Sequence, residues 1–276
     1  LCLTNEDVKD IVTKEALELL SQKHNPEASV QILSITQADN TYYCECKNCK
    51  AVDDANGSQA GTVLSFANEI ASRIKANGGY DNVAIDTFAY QYSRKAPSQV
   101  VPRDDVIIRL CSIECCFGHP LDDPDCKENV KFMSDLAEWS KICDRLYIWH
   151  YNLNCDESIN IYANYGTMQR NTQIFYEHNV VGVYEEGNYY SETGDFSDLR
   201  CYIMAKILWD PYMSEEEYWG HIDDFLRGMY GKGCRKGKQR AQCLKRKRSA
   251  NAGRFLKKGV FMSQKSNLKT NPDACP

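Results

Sequence analysis

Carboxylates stand at the polar ends of three apolar runs: Asp39 after VQILSIT, Glu114 after VIIRLCSI, and Glu185-Glu186 after VVGVY. Aromatic residues accompany them at Tyr90, Trp149, Tyr151, Tyr184, Tyr189 and Tyr190. Paired carboxylates hydrolyse glycosides, one protonating the leaving oxygen while the other acts on the opposite face of the sugar. Aromatic rings offer flat apolar faces on which a sugar can lie. Each residue also has a plainer reading. An Asp-Asn pair after a strand is an ordinary turn or helix cap, which covers Asp39-Asn40. Glu114 sits between Ile113 and Cys115, where a buried carboxylate is rare unless paired or used. Side chains alternate along a strand, so Glu185 and Glu186 point to opposite faces; one can line a site while the other is merely solvated. His150 reads first as a hydrogen-bonded neighbour, and Trp139 and Trp209 as packing residues in helical patterns.

Other chemistries lose support. The chain has no Gly-rich phosphate loop, no Gly-x-Ser-x-Gly elbow and no His-Glu-x-x-His. Its 14 cysteines are too sparse for a disulfide-built miniprotein. Cys44, Cys46 and Cys49 cluster as Cys-x-Cys-x-x-Cys, which holds zinc only if a fourth ligand arrives from elsewhere. We read the cluster first as a disulfide-stapled loop or free buried thiols, with metal as the alternative. No cofactor is expected.

The elements that must position these residues follow from periodicity. Helices are predicted over 6–23, 61–76, 129–143, 166–177, 195–208 and about 214–229. Thr4 and Asn5 are cap candidates for the first. Short β-type runs fall at 30–36, 83–90, 106–113, 146–151 and 180–184. Strands alternating with helical patterns imply parallel βα units. The connection after residue 90 is Pro-containing and too short for a full crossover helix. Every run turns polar or acidic at its C-terminal end, where barrels and open parallel sheets place their sites.

Charge divides the chain. Residues 232–276 hold 14 Lys/Arg and a single acid, Asp273; residues 1–231 hold 19 bases and 37 acids, a net −18. The overall −5 describes neither part. The tail supplies nonspecific affinity for nucleic acid. Its CLKRKRS stretch (243–249) has no aromatic to stack on bases, so no nucleic-acid partner is expected. No run of 18 apolar residues exists, so no membrane span is expected either.

Long motifs, in order, carry a resemblance: LCLTN (1–5), SITQADNTYYCECKNCKA (34–51), DTFAYQYSRKAP (86–97), VIIRLCSIECCFGHPL (106–121), WSKICDRLYIWHYNLN (139–154) and VVGVYEEGNYYSETGDFSDLRCYIMAKILWDP (180–211). Residues 1–231 resemble a bacterial family first catalogued as domain-of-unknown-function family 4838, part of which is glycoside hydrolase family 163. The resemblance implies an α/β fold, a (β/α)8 TIM-type glycosidase barrel that is incomplete here, running from the end of strand 3 through strand 8. Residues 232–276 are then an aberrant basic tail, disordered or frame-shifted. It implies endo-β-N-acetylglucosaminidase activity by a substrate-assisted retaining mechanism, with an oligosaccharide or glycoprotein N-glycan as partner. The alternative is a non-catalytic carbohydrate-binding barrel. The whole parent protein would be secreted, periplasmic or at the cell surface. Asp39 or Asn40 is expected to orient the acetamido group, and Glu114 or Glu185 to be the acid. Asn40, Tyr90, Trp149, His150, Tyr151, Asn154 and Glu186 are expected to bind substrate. The relatives usually read Trp-Asp-Tyr where this chain has Trp149-His150-Tyr151, a change that would alter the charge of the site if that position faced sugar.

Overall fold

The structure is a computed structural model that describes residues 1–154, 161–162, 164–188 and 194–231. The tail (232–276), Tyr189 and Tyr190 lie outside the described residues. The elements run α1 (Glu6–Lys23), β1 (Gln31–Ser34), α2 (Lys47–Asn56), α3 (Ala60–Asn77), β2 (Val83–Ala89), β3 (Val106–Cys111), α4 (Lys127–Ile142), β4 (Leu146–Tyr151), α5 (Tyr165–Glu177), β5 (Val180–Glu186), α6 (Ser197–Trp209) and α7 (Glu215–Tyr230). The five strands form one parallel sheet in sequential order, β1 to β5. That order, with helices between most strands, makes a mixed α/β fold whose curled sheet is part of a (β/α) barrel. Between β2 and β3 there is only a single turn of 3-10 helix, Gln91–Ser93.

Strand parity assigns the two faces. Ile85, Ile108, Leu110, Leu146 and Ile148 pack outward against Leu64, Ile70, Phe132, Leu136 and Phe175 of the helices. The alternate residues of each strand therefore line the concave face: Asp86 and Phe88, Arg109 and Cys111, Tyr147, Trp149 and Tyr151, and Gly182, Tyr184 and Glu186. A second cluster joins α5, α6 and α7 through Met168, Ile203, Ile207, Tyr218 and Ile222. Local chemistry sets the ends. Asn5 caps α1 by accepting from the Val8 N–H at 3.1 Å. Gly57, at φ 63°, closes α2 in the left-handed region that glycine occupies freely.

Two expectations change. Trp139 is buried in the core as expected, but Trp209, at the end of α6, is 90% exposed and packs in no core. The third strand stops at Cys111, two residues before Ile113, so Glu114 lies in a turn closed by Cys115 N–H donating to the Ser112 carbonyl at 2.9 Å. The short helix α2 was not foreseen.

Gly182 shows how tightly the concave face is filled. A Cβ there would stand 2.5 Å from a ring carbon of Tyr147 on the neighbouring strand, where the β4–β5 register shifts. Gly182→Ala is therefore expected to destabilise the fold by about 1–3 kcal/mol, as overpacking does. Denaturant titration checks this: the midpoint should fall while the slope stays the same.

Candidate active site

The C-terminal ends of the strands bring two carboxylates to the concave face, each held by an aromatic donor. Tyr90, just after β2, donates its hydroxyl to Asp39 Oδ1 at 2.8 Å. Trp149 donates its indole N–H to Glu186 Oε2 at 2.7 Å. Between them lie packed rings: Phe88 meets Tyr90 at 6.3 Å and Trp149 at 5.5 Å, and Trp149 meets Tyr184 at 4.5 Å. Arg109 lies 5.8 Å from the ring centres of both Phe88 and Trp149, within cation–π range, and reaches the buried Asp86 at 2.5 Å.

Electrostatics show that these groups share one space. Burial pushes the Tyr151 phenol well above its ordinary value, and the charges of Glu186 and Asp39 add to the rise. Burial likewise pushes the Cys111 thiol up to about 12; Arg109 opposes this, and Glu114, Glu186 and Asp86 reinforce it. Burial, then the hydrogen bond to Asp39, raises the Tyr90 phenol. Tyr151 thus lies within electrostatic reach of Glu186 and Asp39, and Cys111 within reach of Glu186 and, from the edge of the mouth that the strand ends form, Glu114.

The remaining expected residues fall elsewhere. Glu114 was expected to be buried among Ile113, Cys115 and Cys116. Its side chain is instead 42% exposed and accepts from Arg94 Nη1 at 2.6 Å; Arg94 is also held by Asp135 at 2.7 Å. His150, expected to bind substrate, is turned to the helix side and is only 1% exposed. It lies 2.8 Å from Ser112 Oγ and 3.4 Å from Asn171 Nδ2, edge-on to Phe175. Burial lowers its pKa to about 3, so it is neutral and adds no charge to the concave face. The Asn40 side-chain oxygen accepts from the Tyr42 N–H at 2.9 Å, the ordinary turn arrangement. Asn154 follows β4, half-buried.

Glu185 also faces the helices. Its carboxyl accepts from Asn152 Nδ2, while Oε1 is shut from solvent with no hydrogen-bond partner among the described residues. Burial pushes its pKa up to about 8, with the Asn152 bond opposing. It borders a cavity of about 320 Å³ with Arg200 and Met204 of α6. Arg200 pairs with Asp195 at 2.8 Å and lies 4.7 Å from the Tyr165 ring centre. Asp195 and Phe196 both hold positive φ at this rim, a strain that surrounding contacts must sustain.

Sequence reasoning missed Arg109, Arg94 and Cys2. A charged residue inside the apolar run VIIRLC was the available signal for Arg109. For Cys2 there was none. The fold sets its sulfur 3.6 Å from that of Cys46 and 3.7 Å from that of Cys49.

The fold and face together define a partial (β/α) barrel with an aromatic- and carboxylate-lined concave site. The chain belongs to the family described as Domain of unknown function (DUF4838), whose model matches residues 1–238. No curated protein and no solved structure matches it. Among the described residues, no helix is long and apolar enough to cross a membrane.

Proposed function

We propose that this chain supplies the sugar-binding and acid–base face of a glycoside hydrolase, an endo-β-N-acetylglucosaminidase acting on N-glycans by a substrate-assisted retaining mechanism. The observation that carries the reading is the pair Asp39 and Glu186, each held by an aromatic donor across a floor of Phe88, Trp149 and Tyr184. Retaining chemistry of this kind needs one polar group on the acetamido nitrogen and one acid on the leaving oxygen. Asp39 is the better orienting group, because the Asn40 oxygen is already engaged by Tyr42. The acid moves from Glu114 or Glu185 to Glu186. Glu114 is an exposed partner of Arg94, and the Glu185 carboxyl faces α6. Aromatic rings beside a carboxylate offer a sugar flat apolar faces, while the carboxylate repels a phosphate.

A carbohydrate-binding barrel without turnover is the second reading. It is favoured by one observation: the carboxyl with the pKa most suited to proton donation, Glu185, lies off the concave face. Incubating the full chain with an N-glycoprotein separates the two. Released glycan with an intact reducing-end N-acetylglucosamine is expected. Glycan binding with no release makes it a lectin-like barrel, and neither binding nor release rejects both.

A further inference from the structure

We propose that Cys2, Cys44, Cys46 and Cys49 form a structural zinc site that ties the loop bearing Asp39 and Asn40 to the segment preceding α1. The four sulfur atoms lie within 4.8 Å of one another. Sulfurs bound to one zinc at about 2.3 Å in a tetrahedron stand roughly 3.8 Å apart. The Cys2–Cys46 and Cys2–Cys49 separations, 3.6 and 3.7 Å, match that edge. They are far longer than a disulfide bond of about 2.05 Å. The three-cysteine motif needed a fourth ligand from elsewhere, and Cys2 supplies it across more than forty residues.

The surroundings suit thiolates. Cys46 is the N-cap of α2, and its sulfur accepts the Cys49 N–H at 3.5 Å. Thr4 Oγ1 lies 3.3 Å from the Cys49 sulfur. Such hydrogen bonds and a helix N-terminus favour the ligating form of cysteine. Four sulfur donors leave no open position, the mark of a structural rather than a catalytic zinc. The site also accounts for α2, a short polar helix with few apolar residues to hold it in place. The site does not depend on any glycosidase activity.

The test is elemental analysis of the full chain purified without added metal. One zinc per chain is expected, lost in Cys2→Ser and in Cys46→Ser. Chelation should lower the unfolding temperature, and added zinc should restore it. Should a variant not fold, the parent chain decides alone. Zinc-loaded protein should shield these four cysteines from alkylation, and chelated protein should expose them. A disulfide among the four, the absence of stoichiometric zinc, or another metal in its place overturns the proposal. So does zinc that persists in both variants, which would place it on the three-ligand group Cys116, His119 and Cys126.

Discussion

Glu186→Gln is expected to fold like the parent chain and to release glycan about 10²–10⁴-fold more slowly, the usual worth of a general acid. Gln keeps an oxygen for the Trp149 N–H, so the 2.7 Å bond that orients the side chain survives while the transferable proton is lost. Side-chain alternation puts Glu186, not Glu185, on the face shared with Tyr151, Trp149 and Tyr184. Glu185→Gln should therefore leave the rate near that of the parent. Glu114→Gln breaks the charge pairing with Arg94 at the edge of the mouth and is expected to cost less than Glu186→Gln. Single-turnover release from an N-glycoprotein measures all three. A fully active Glu186→Gln beside an inactive Glu185→Gln would mean that the proton comes from the helix side of β5. The assignment of the acid would then be wrong, although the glycosidase reading would stand.

Most elements were readable, because the helix and strand periods are strong and most interstrand segments have room for a helix. β4 has the predicted bounds, and α1 does too. Failures came where tertiary partners decide. The polar segment KNCKAVDDAN shows little apolar stripe, and its helix depends on the Cys46 cap, the Gly57 terminus and the burial of Cys49, Asp53 and Asn56. Glu114 looked buried because the apolar run continues through Ile113, yet the backbone leaves the sheet after Cys111 and Arg94 arrives from twenty residues upstream. The face of His150 was legible in principle. Once Trp149 is placed on the concave side, its neighbour must face the helices. His150 therefore sets a neutral imidazole edge-on to Phe175 and adds no charge to the concave face. Cys2 was invisible because nothing in sequence separation predicts which distant cysteine closes a cluster.

Glu185→Gln is expected to change the pH dependence of stability most strongly on the alkaline side. Glu185, with Oε1 shut from solvent, binds its proton up to about pH 8, whereas in the unfolded chain it ionises near its ordinary value of 4.5. Between these values the folded state holds the proton and the unfolded state does not, so stability is full below pH 4.5 and falls as pH rises to 8. At ~1.4 kcal/mol per unit, the loss is on the order of 4–5 kcal/mol. His150 acts in the opposite sense. Its folded value of about 3 lies below the ordinary 6.5, so its contribution is full above pH 6.5 and is lost as pH falls towards 3. The two slopes cancel between about pH 4.5 and 6.5, giving a plateau with an acid limb from His150 and an alkaline limb from Glu185. Gln at position 185 is neutral at every pH and still accepts from Asn152, so it removes the alkaline limb and lets the His150 slope run on uncompensated to pH 6.5. Urea unfolding at pH 5 should give parent and variant alike, and at pH 8 the variant should be the more stable by several kcal/mol, of the order set by the linkage above. Parallel profiles from pH 5 to 8 would mean that water reaches Glu185 Oε1 and that the carboxyl titrates normally in the folded chain.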